Sequence, residues 1–353
     1  MKYIVTADYG NGKSAGSKAP QDVIKIAEKK GYEVKVFKNP PVHYGKIRRF
    51  LWRYYGPAKE WENFLDEISA NDVILYQHPM HNEEHFFRKY IHQIQKKGAK
   101  IIVIIHDLNY IRYQYGLNCH KGRIEISLLR NVDCVICHNQ KMLEALVESG
   151  IPQNNLVDLH LFDYLTKDIS VHQDYKRKGN VCIAGNLDKN VNKYIYKAAD
   201  KNKGMFFELF GNAFNEHVQN KNISYHGSFQ PNELVSKISA DFGIVWAGMD
   251  SNTCSGQLGD YLQYNDPHKA SLYLAAGIPL IVWKKSAIAK FIRENNCGIE
   301  VESLDELESQ IKCISDDEYY SIRNNTQKVS LRIQKGEFFY KALFDAEKNL
   351  ELT

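Results

Sequence analysis

A lysine in the first turn of a predicted helix, Lys269, is the strongest chemical signal in the sequence. It lies in DPHKASLYLAAGIP (266–279), where Pro267 suits the first helical position because it needs no partner for an N–H. The amino end of a helix already carries about half a positive charge, so a lysine there is unfavourable without an anion. Lys269 and the adjacent His268 therefore predict a dianion site. The diphosphate leaving group of a nucleotide sugar fits it, with Lys269 in a catalytic role.

A second candidate group ends a strongly apolar strand in IIHDLNYIRY (104–113). A carboxylate at the carboxyl end of a parallel strand points towards the ligand side of the sheet, so Asp107 could act as a general base. His106 and Arg112 could orient an acceptor or hold charge. The sequence leaves open that Asp107 only caps the next helix or pairs with Arg112, and Asp8 is the rival base.

Three histidines in HPMHNEEH (78–85), His78, His81 and His85, have spacings that could ligate a metal. The alternative is a polar loop after a strand, in which Asn82 caps the following helix. No cysteine cluster supports zinc, so we predict no metal site. We assign His78, together with His106 and Arg112, to the acceptor side.

The stretch ADYGNGKSAGSKA (7–19) partly matches a phosphate-binding loop. GKS (12–14) is present, but Ala7 stands where the first glycine belongs, and the helix is expected to begin only near residue 20. A flexible glycine-rich loop with Lys18 available to an anion is favoured. A phosphate-loop nucleotide hydrolase remains the alternative from another functional class.

The seven cysteines are scattered, which is typical of a reducing compartment. CVIC (134–137) has the redox spacing Cys-x-x-Cys, but it lies in a predicted buried strand. No helix terminus there lowers a thiol pKa. Core packing is therefore favoured over redox chemistry.

Length and composition indicate a two-domain globular protein. The chain has 353 residues, of which 44% are hydrophobic and 25% charged. A net charge of +4 gives no nucleic-acid footprint, but it leaves room for a local basic patch facing phosphate or an anionic membrane. No apolar run reaches the roughly 18 residues of a spanning helix, and the amino terminus is predicted as a strand, not a signal peptide. A cytoplasmic protein is expected.

Two runs of βαβ alternation must position these groups. Strands are predicted at 2–7, 32–37, 72–77, 100–106 and 133–138, and, after a polar segment, at 180–185, 206–211, 223–227, 242–246, 278–283 and 298–301. This pattern predicts an α/β protein with two Rossmann-like domains, 1–165 and 175–335, whose parallel sheets face a cleft. Ligand loops belong at the carboxyl ends of the strands. A helix over 336–353 is expected to pack back across the domains.

Two loops of the second half could contact a nucleotide. In IAGNLDKN (183–190), a glycine turn lets the backbone approach a ligand closely, and Lys189 could reach a phosphate. In YHGSFQPNEL (225–234), Phe229 could stack on a base. The alternatives are an ordinary polar turn and an ordinary surface aromatic.

The chain resembles bacterial glycosyltransferases of the GT-B architecture, most of all the β-1,6-galactofuranosyltransferases of O-antigen assembly. A more distant resemblance is to the glucosyltransferase that extends GlcNAc on serine-rich streptococcal adhesins. The matching segments, in order along nearly the whole chain, are AGSKA (15–19), HDLNYIR (106–112), HNQKM (138–142), FDYL (162–165), AGNL (184–187), HGSF (226–229) and TCSGQLGDYLQYNDPHKASLYLAAGIPLIVW (253–283).

This resemblance implies an inverting, metal-independent transfer of galactofuranose from UDP-galactofuranose to a sugar hydroxyl, through a β-1,6 linkage, in surface polysaccharide synthesis. The C-terminal domain would hold the donor. The N-terminal domain would hold the acceptor, a lipid-linked glycan that would bring the protein to the inner face of the cell membrane. UDP-glucose or UDP-galactopyranose as donor, an inert sugar-nucleotide-binding subunit, and a homo-oligomer remain open.

The resemblance also assigns residues to the donor. Lys269 would meet the diphosphate, and Phe229 would lie beside the uracil. The other expected donor contacts are Gly16, Lys18, Asn186, Lys189, Tyr261, Asn265 and His268.

Overall fold

A computed structural model describes the chain except for residues 9–16, 39–43, 81–83, 114–118, 168–175, 216, 218–219 and 353; the side chains of 50, 53, 54, 84–86 and 119–121 also lie outside the description. The chain divides into two compact units: Met1–Gly12 with Pro20–Leu159 and Phe339–Thr353, and Lys13–Ala19 with His160–Phe338. The division after Leu159 falls before the expected boundary at 165, and the C-terminal segment belongs to the first unit.

The first unit is built on a six-stranded sheet. Its strands are β1 (Lys2–Ala7), β2 (Glu33–Phe37), β3 (Val73–His78), β4 (Lys100–Ile105), β5 (Cys134–Cys137) and β6 (Leu156–Asp158). They lie in the order β2–β1–β3–β4–β5–β6, and all the pairings are parallel. The helices that connect these strands are α1 (Lys18–Lys29), α2 (Lys46–Glu67), α3 (Glu84–Lys96), α4 (Asn109–Arg112), α5 (Cys119–Leu129) and α6 (Gln140–Glu148).

The second unit repeats this plan. Its strands are β7 (Asn180–Asn186), β8 (Phe206–Asn212), β9 (Ile223–Tyr225), β10 (Phe242–Val245), β11 (Leu280–Trp283) and β12 (Gly298–Val301). Its helices are α7 (Tyr194–Lys201), α8 (Pro231–Lys237), α9 (Gly256–Tyr261), α10 (His268–Ala275), α11 (Ile288–Asn295), α12 (Leu307–Lys312) and α13 (Asp316–Lys335), and α14 (Glu337–Asn349) leads back to the first unit.

The second sheet has the order β12–β11–β10–β7–β8–β9, again with parallel pairings. Chain order therefore runs outwards in both directions from the β7–β10 pair. This reversal is the strand order of dinucleotide-binding folds, in which ligands bind outside the carboxyl ends at the reversal point.

The two predicted parallel sheets are confirmed. Each predicted strand is present with its ends within two residues, because buried strands of a parallel sheet give continuous apolar runs. One further strand, β6, was not predicted, because its three residues are too few to form a recognisable pattern. Cys134 and Cys137 are buried in β5, and burial raises the pKa of the Cys134 thiol to about 12, so their packing role is confirmed.

Helix α10 is fixed inside the second unit by its own side chains. The buried Tyr273 hydroxyl accepts the N–H of Ala184 in β7 at 2.6 Å. A Cβ at Gly243 in β10 would lie 2.4 Å from the Tyr273 ring, so glycine allows the helix to approach the sheet. The helix begins at His268, with Pro267 as its N-cap, so the prediction that Pro267 is the first helical residue is wrong by one position.

No helix among the described residues is both long and apolar enough to span a membrane.

Candidate active site

Lys269 lies at the point where strand order reverses in the second sheet. Its Nζ donates to the carbonyl of Trp246, directly after β10, at 2.5 Å. β10 and β7 are the neighbouring strands at which the strand order reverses. The lysine is therefore held at the carboxyl ends of the strands, where a Rossmann-like unit binds its ligand. The predicted first-turn position of Lys269 is confirmed.

The ammonium of Lys269 is held in a partly buried position. Burial lowers the pKa of Lys269 to about 8, and no carboxylate of the described chain forms a salt bridge with it. A cation that has lost part of its hydration and has no counter-ion is costly. A bound phosphate would remove that cost, and the amino end of α10 would add its own N–H groups.

His268, beside this lysine, is oriented by the segment that opens the second unit. Its ring stacks on Tyr164 with a centroid distance of 5.0 Å, and its Nε2 lies 3.3 Å from the carbonyl oxygen of Asp163. The buried Asp163 carboxylate in turn accepts the N–H of Phe338 at 3.2 Å. Neither Asp163 nor Tyr164 was predicted to have a role, and their only signal in the sequence is the segment FDYL.

The carboxyl end of β7 forms an open polar turn. Asn186 is exposed, and its side-chain oxygen accepts the N–H of Asp188 at 3.0 Å. Lys189, in the same turn, is exposed as well. A Cβ at Gly211, the penultimate residue of the neighbouring strand β8, would lie 1.8 Å from the Gly185 carbonyl oxygen, so the close approach of the two strand ends depends on glycine.

The remaining predicted donor contacts differ in accessibility. Phe229 is half-buried and packs against the core of the second unit, with its ring centroid 6.3 Å from that of Phe210. Tyr261 is buried at the end of α9, so its ring does not face solvent. The side-chain oxygen of Asn265 is buried and has no hydrogen-bond partner in the described chain.

Asp107 follows β4 in the first unit and is 43% exposed at its side chain. Its Oδ2 lies 3.1 Å from Nη1 of Arg112, so one of the two structural alternatives, the ion pair, is present. The other is absent, because Leu108 is the N-cap of α4 and no side chain caps that helix. A role as general base remains a prediction.

His106 belongs to a polar relay along the carboxyl ends of three strands. Its Nε2 lies 2.8 Å from the side-chain oxygen of Gln77, whose amide donates to the Thr6 hydroxyl at 3.0 Å. The relay links β4, β3 and β1. Neither Gln77 nor Thr6 was predicted to belong to it.

His78 is fully buried, 0% exposed, and its Nε2 lies at hydrogen-bond distance, 2.7 Å, from the equally buried carboxylate of Glu125. The second carboxylate oxygen of Glu125 accepts the N–H of Tyr110 at 2.6 Å, and the first accepts the Asn109 amide at 3.2 Å. His78 is therefore a structural partner at the base of α4 and not a side chain open to an acceptor. Glu125 was missed; its only signal is a carboxylate between two isoleucines.

Several predictions fall outside the described chain: Gly16, Lys13, His81 and Asn82 lie there, as does the side chain of His85. Lys18 is described and is buried, with its Nζ donating to the Leu165 carbonyl at 2.6 Å and lying 4.8 Å from the Tyr164 ring centroid. Among the described residues, no group of three metal-ligating side chains is present.

Comparison with known proteins matches both halves of the chain to one family. Residues 1–161 match the N-terminal domain of glucosyltransferase 3-like proteins, and residues 181–346 match the C-terminal domain. The chain is 31% identical over 344 residues to β-1,6-galactofuranosyltransferase WbbI of Escherichia coli K12, with 96% of each chain covered. It is 28% identical to glucosyltransferase 3 of Streptococcus gordonii, with 98% of each covered.

Solved structures show the same fold at low identity. Anabaena HepE, crystallised with UDP and glucose, superimposes with a TM-score of 0.63 at 13% identity, covering 99% of this chain and 100% of HepE. The lipopolysaccharide outer core galactosyltransferase WaaB gives 0.63 at 12% identity, with 99% and 100% covered. The GT-B fold predicted from the sequence is confirmed.

Proposed function

We propose that the chain, which belongs to the glucosyltransferase 3-like family of glycosyltransferases, transfers galactofuranose from UDP-galactofuranose to a sugar hydroxyl. The 31% identity with a β-1,6-galactofuranosyltransferase supports this sugar and a β-1,6 linkage. The fold shared with HepE, which was solved with UDP, supports a uridine diphosphate donor. The acceptor in this proposal is a lipid-linked glycan of a bacterial surface polysaccharide.

The observation that carries the proposal is the position and charge of Lys269. Its partly buried ammonium lies at the reversal point of the second sheet, and no carboxylate among the described residues pairs with it. The diphosphate of the donor supplies the missing negative charge, and negative charge grows on it as the glycosidic bond breaks. Lys269 and the amino end of α10 therefore stabilise the leaving group, in place of a divalent cation.

The proposed reaction is a single inverting displacement. An acceptor hydroxyl oxygen attacks the anomeric carbon, and the bond from that carbon to the β-phosphate oxygen breaks on the opposite face. UDP departs with the bonding electrons. Asp107 takes the hydroxyl proton on its carboxylate, and the ion pair with Arg112 positions that carboxylate. His106 orients the acceptor through its link to Gln77.

The other predicted residues either contact the donor or hold neighbouring groups in place, according to whether they are exposed or buried. Asn186 and Lys189, both exposed at the end of β7, contact the phosphates, and Phe229 contacts the uracil. Lys18 holds the Leu165 carbonyl, His78 holds the Glu125 carboxylate, and Tyr261 is a buried residue of the second unit.

A second candidate keeps the chemistry and changes the sugar. The 28% identity with glucosyltransferase 3 of Streptococcus gordonii, over 98% of both chains, favours UDP-glucose as the alternative donor.

Thermal shift against UDP, UDP-sugars, GDP and ATP without divalent metal tests the nucleotide, because selective binding to the folded state raises its melting temperature. Product analysis with UDP-galactofuranose and UDP-glucose then tests the sugar. Stabilisation by UDP with galactofuranosyl transfer supports the proposal. A strict manganese requirement contradicts it, magnesium-dependent ATP hydrolysis indicates a nucleotide hydrolase, and UDP binding without transfer indicates an inert binding subunit.

A further inference from the structure

Helix α2 of the first unit has two halves with different environments. Its carboxyl half packs into the core, where Trp61 and Phe64 are buried and Trp61 stacks on Phe87 at 5.0 Å. None of the described side chains in residues 46–55 is buried. The packing of this unit therefore contributes little stability to the amino half of α2. A helical segment of about ten residues is only marginally stable in water without such packing.

The exposed half carries an apolar stripe. Ile47 is 77% exposed, Leu51 is 48% exposed and Tyr55 is 73% exposed. The spacing of four residues places all three on one face of the helix. Single exposed apolar side chains are ordinary, but an aligned set on one helix face marks an interaction surface.

The same segment is strongly basic. Residues 46–55 contain Lys46, Arg48, Arg49 and Arg53 and no carboxylate. The four carboxylates of the helix all follow Pro57, at Glu60, Glu62, Asp66 and Glu67. Lys46, Arg48 and Arg49 are exposed. Within the amino half of α2, the residues that flank the apolar stripe therefore carry positive charge and no negative charge.

We propose that this face, defined by Ile47, Leu51 and Tyr55 with their neighbouring cations, docks on an anionic phospholipid surface. Such a surface accepts apolar side chains at the boundary of headgroups and acyl chains, and its phosphates attract the cations. A second copy of the chain is disfavoured, because a two-fold contact would bring the same cations face to face. Binding to a nucleic acid backbone would use the cations but leave the apolar stripe in water.

The test is co-sedimentation of the full-length protein with vesicles of phosphatidylcholine and phosphatidylglycerol, compared with vesicles of phosphatidylcholine alone. We expect binding to the anionic vesicles that weakens with added salt. A cation near such a surface contributes about fivefold to the partition coefficient. Lys46→Gln with Arg48→Gln should therefore weaken binding about 25-fold, whereas Lys25→Gln with Lys29→Gln, an equal charge loss on α1, should change it little.

The apolar stripe is tested by Ile47→Gln, Leu51→Gln and Tyr55→Gln together, a change that keeps helix propensity and should weaken binding at least about tenfold. Val147→Gln with Tyr320→Gln replaces exposed apolar side chains on other helices and serves as the control. Equal loss in both sets overturns the proposal, as does the absence of binding to anionic vesicles. Dimerisation that the stripe variant abolishes, without vesicle binding, identifies the face as an interface between copies.

The assay needs no sugar transfer. It therefore succeeds or fails independently of the donor and acceptor proposed above.

Discussion

The carboxyl ends of the two sheets handle charge in opposite ways. In the second unit, the Lys269 ammonium is partly buried beside a carbonyl and has no carboxylate partner in the described chain. In the first unit, His78 is paired with Glu125, and Asp107 is paired with Arg112. The second sheet is prepared for an anion from outside, whereas the first sheet satisfies its own charges.

This difference decides what a substitution can reveal. Removing an uncompensated cation should reduce ligand binding and turnover with little loss of fold, since the free protein gains by losing it. Removing one member of a buried pair leaves the other unsatisfied and should reduce stability first. Asp107 lies between these two cases, because its ion pair with Arg112 is partly exposed. Its substitution should therefore affect turnover more than stability.

The largest expected effect is that of Asp107→Asn. The loss of a general base lowers the rate by about 10²–10⁴-fold. UDP affinity should stay nearly unchanged, because the proposed nucleotide contacts lie in the second unit. Single-turnover kinetics and UDP titration measure both quantities. Turnover within tenfold of the wild type would move the base elsewhere, with Asp8 next to be tested, and weakened UDP binding would make Asp107 a donor contact.

Lys269→Ala tests the opposite side of the comparison. We expect kcat to fall by about 10²–10³-fold, equivalent to about 2.7–4 kcal/mol of leaving-group stabilisation, with weaker UDP binding. Lys290→Ala, on an exposed face of α11, is the matched control. Near-normal turnover would exclude the diphosphate role. A larger loss in Lys13→Ala than in Lys269→Ala would revive the phosphate-loop alternative.

Glu125→Gln should act on the fold. Removing the charge of a fully buried carboxylate that accepts several hydrogen bonds costs about 1–3 kcal/mol of unfolding free energy. The comparison variant is Glu302→Gln, which breaks the exposed pair with Lys284 and should leave stability unchanged. Urea denaturation measures both. Equal stability of the two variants would show that the His78–Glu125 pair contributes nothing specific.

The smallest expected effect is a pH dependence of UDP binding. Since burial lowers the pKa of Lys269 to about 8, the free protein loses this positive charge as the pH rises through 8. UDP affinity should fall by at most about tenfold per pH unit above that point, with proton uptake on binding. Calorimetry in buffers of different ionisation enthalpy measures the uptake. The Lys269→Ala variant should show neither effect; a flat wild-type profile would contradict the assignment.

Local sequence pattern was sufficient for the elements and for the placement of Lys269. Apolar runs such as IIVII specify buried strands, and Pro267, separated by two residues from a run of small and apolar residues, marks the start of α10. These signals lie within a few residues of the structure they describe. The resemblance to a known family, carried mainly by 253–283, added the GT-B fold.

The tertiary structure alone decided which polar groups are satisfied and which remain available. Glu125 meets His78 across 47 residues of sequence, and Lys269 meets the Trp246 carbonyl across 23. Tyr261 was predicted as a contact and is buried. Periodicity specifies the face of an element, but a hydrogen-bond partner is supplied by whichever distant segment the sheet brings alongside. The accessibility of a candidate side chain therefore cannot be obtained from its own neighbours in sequence.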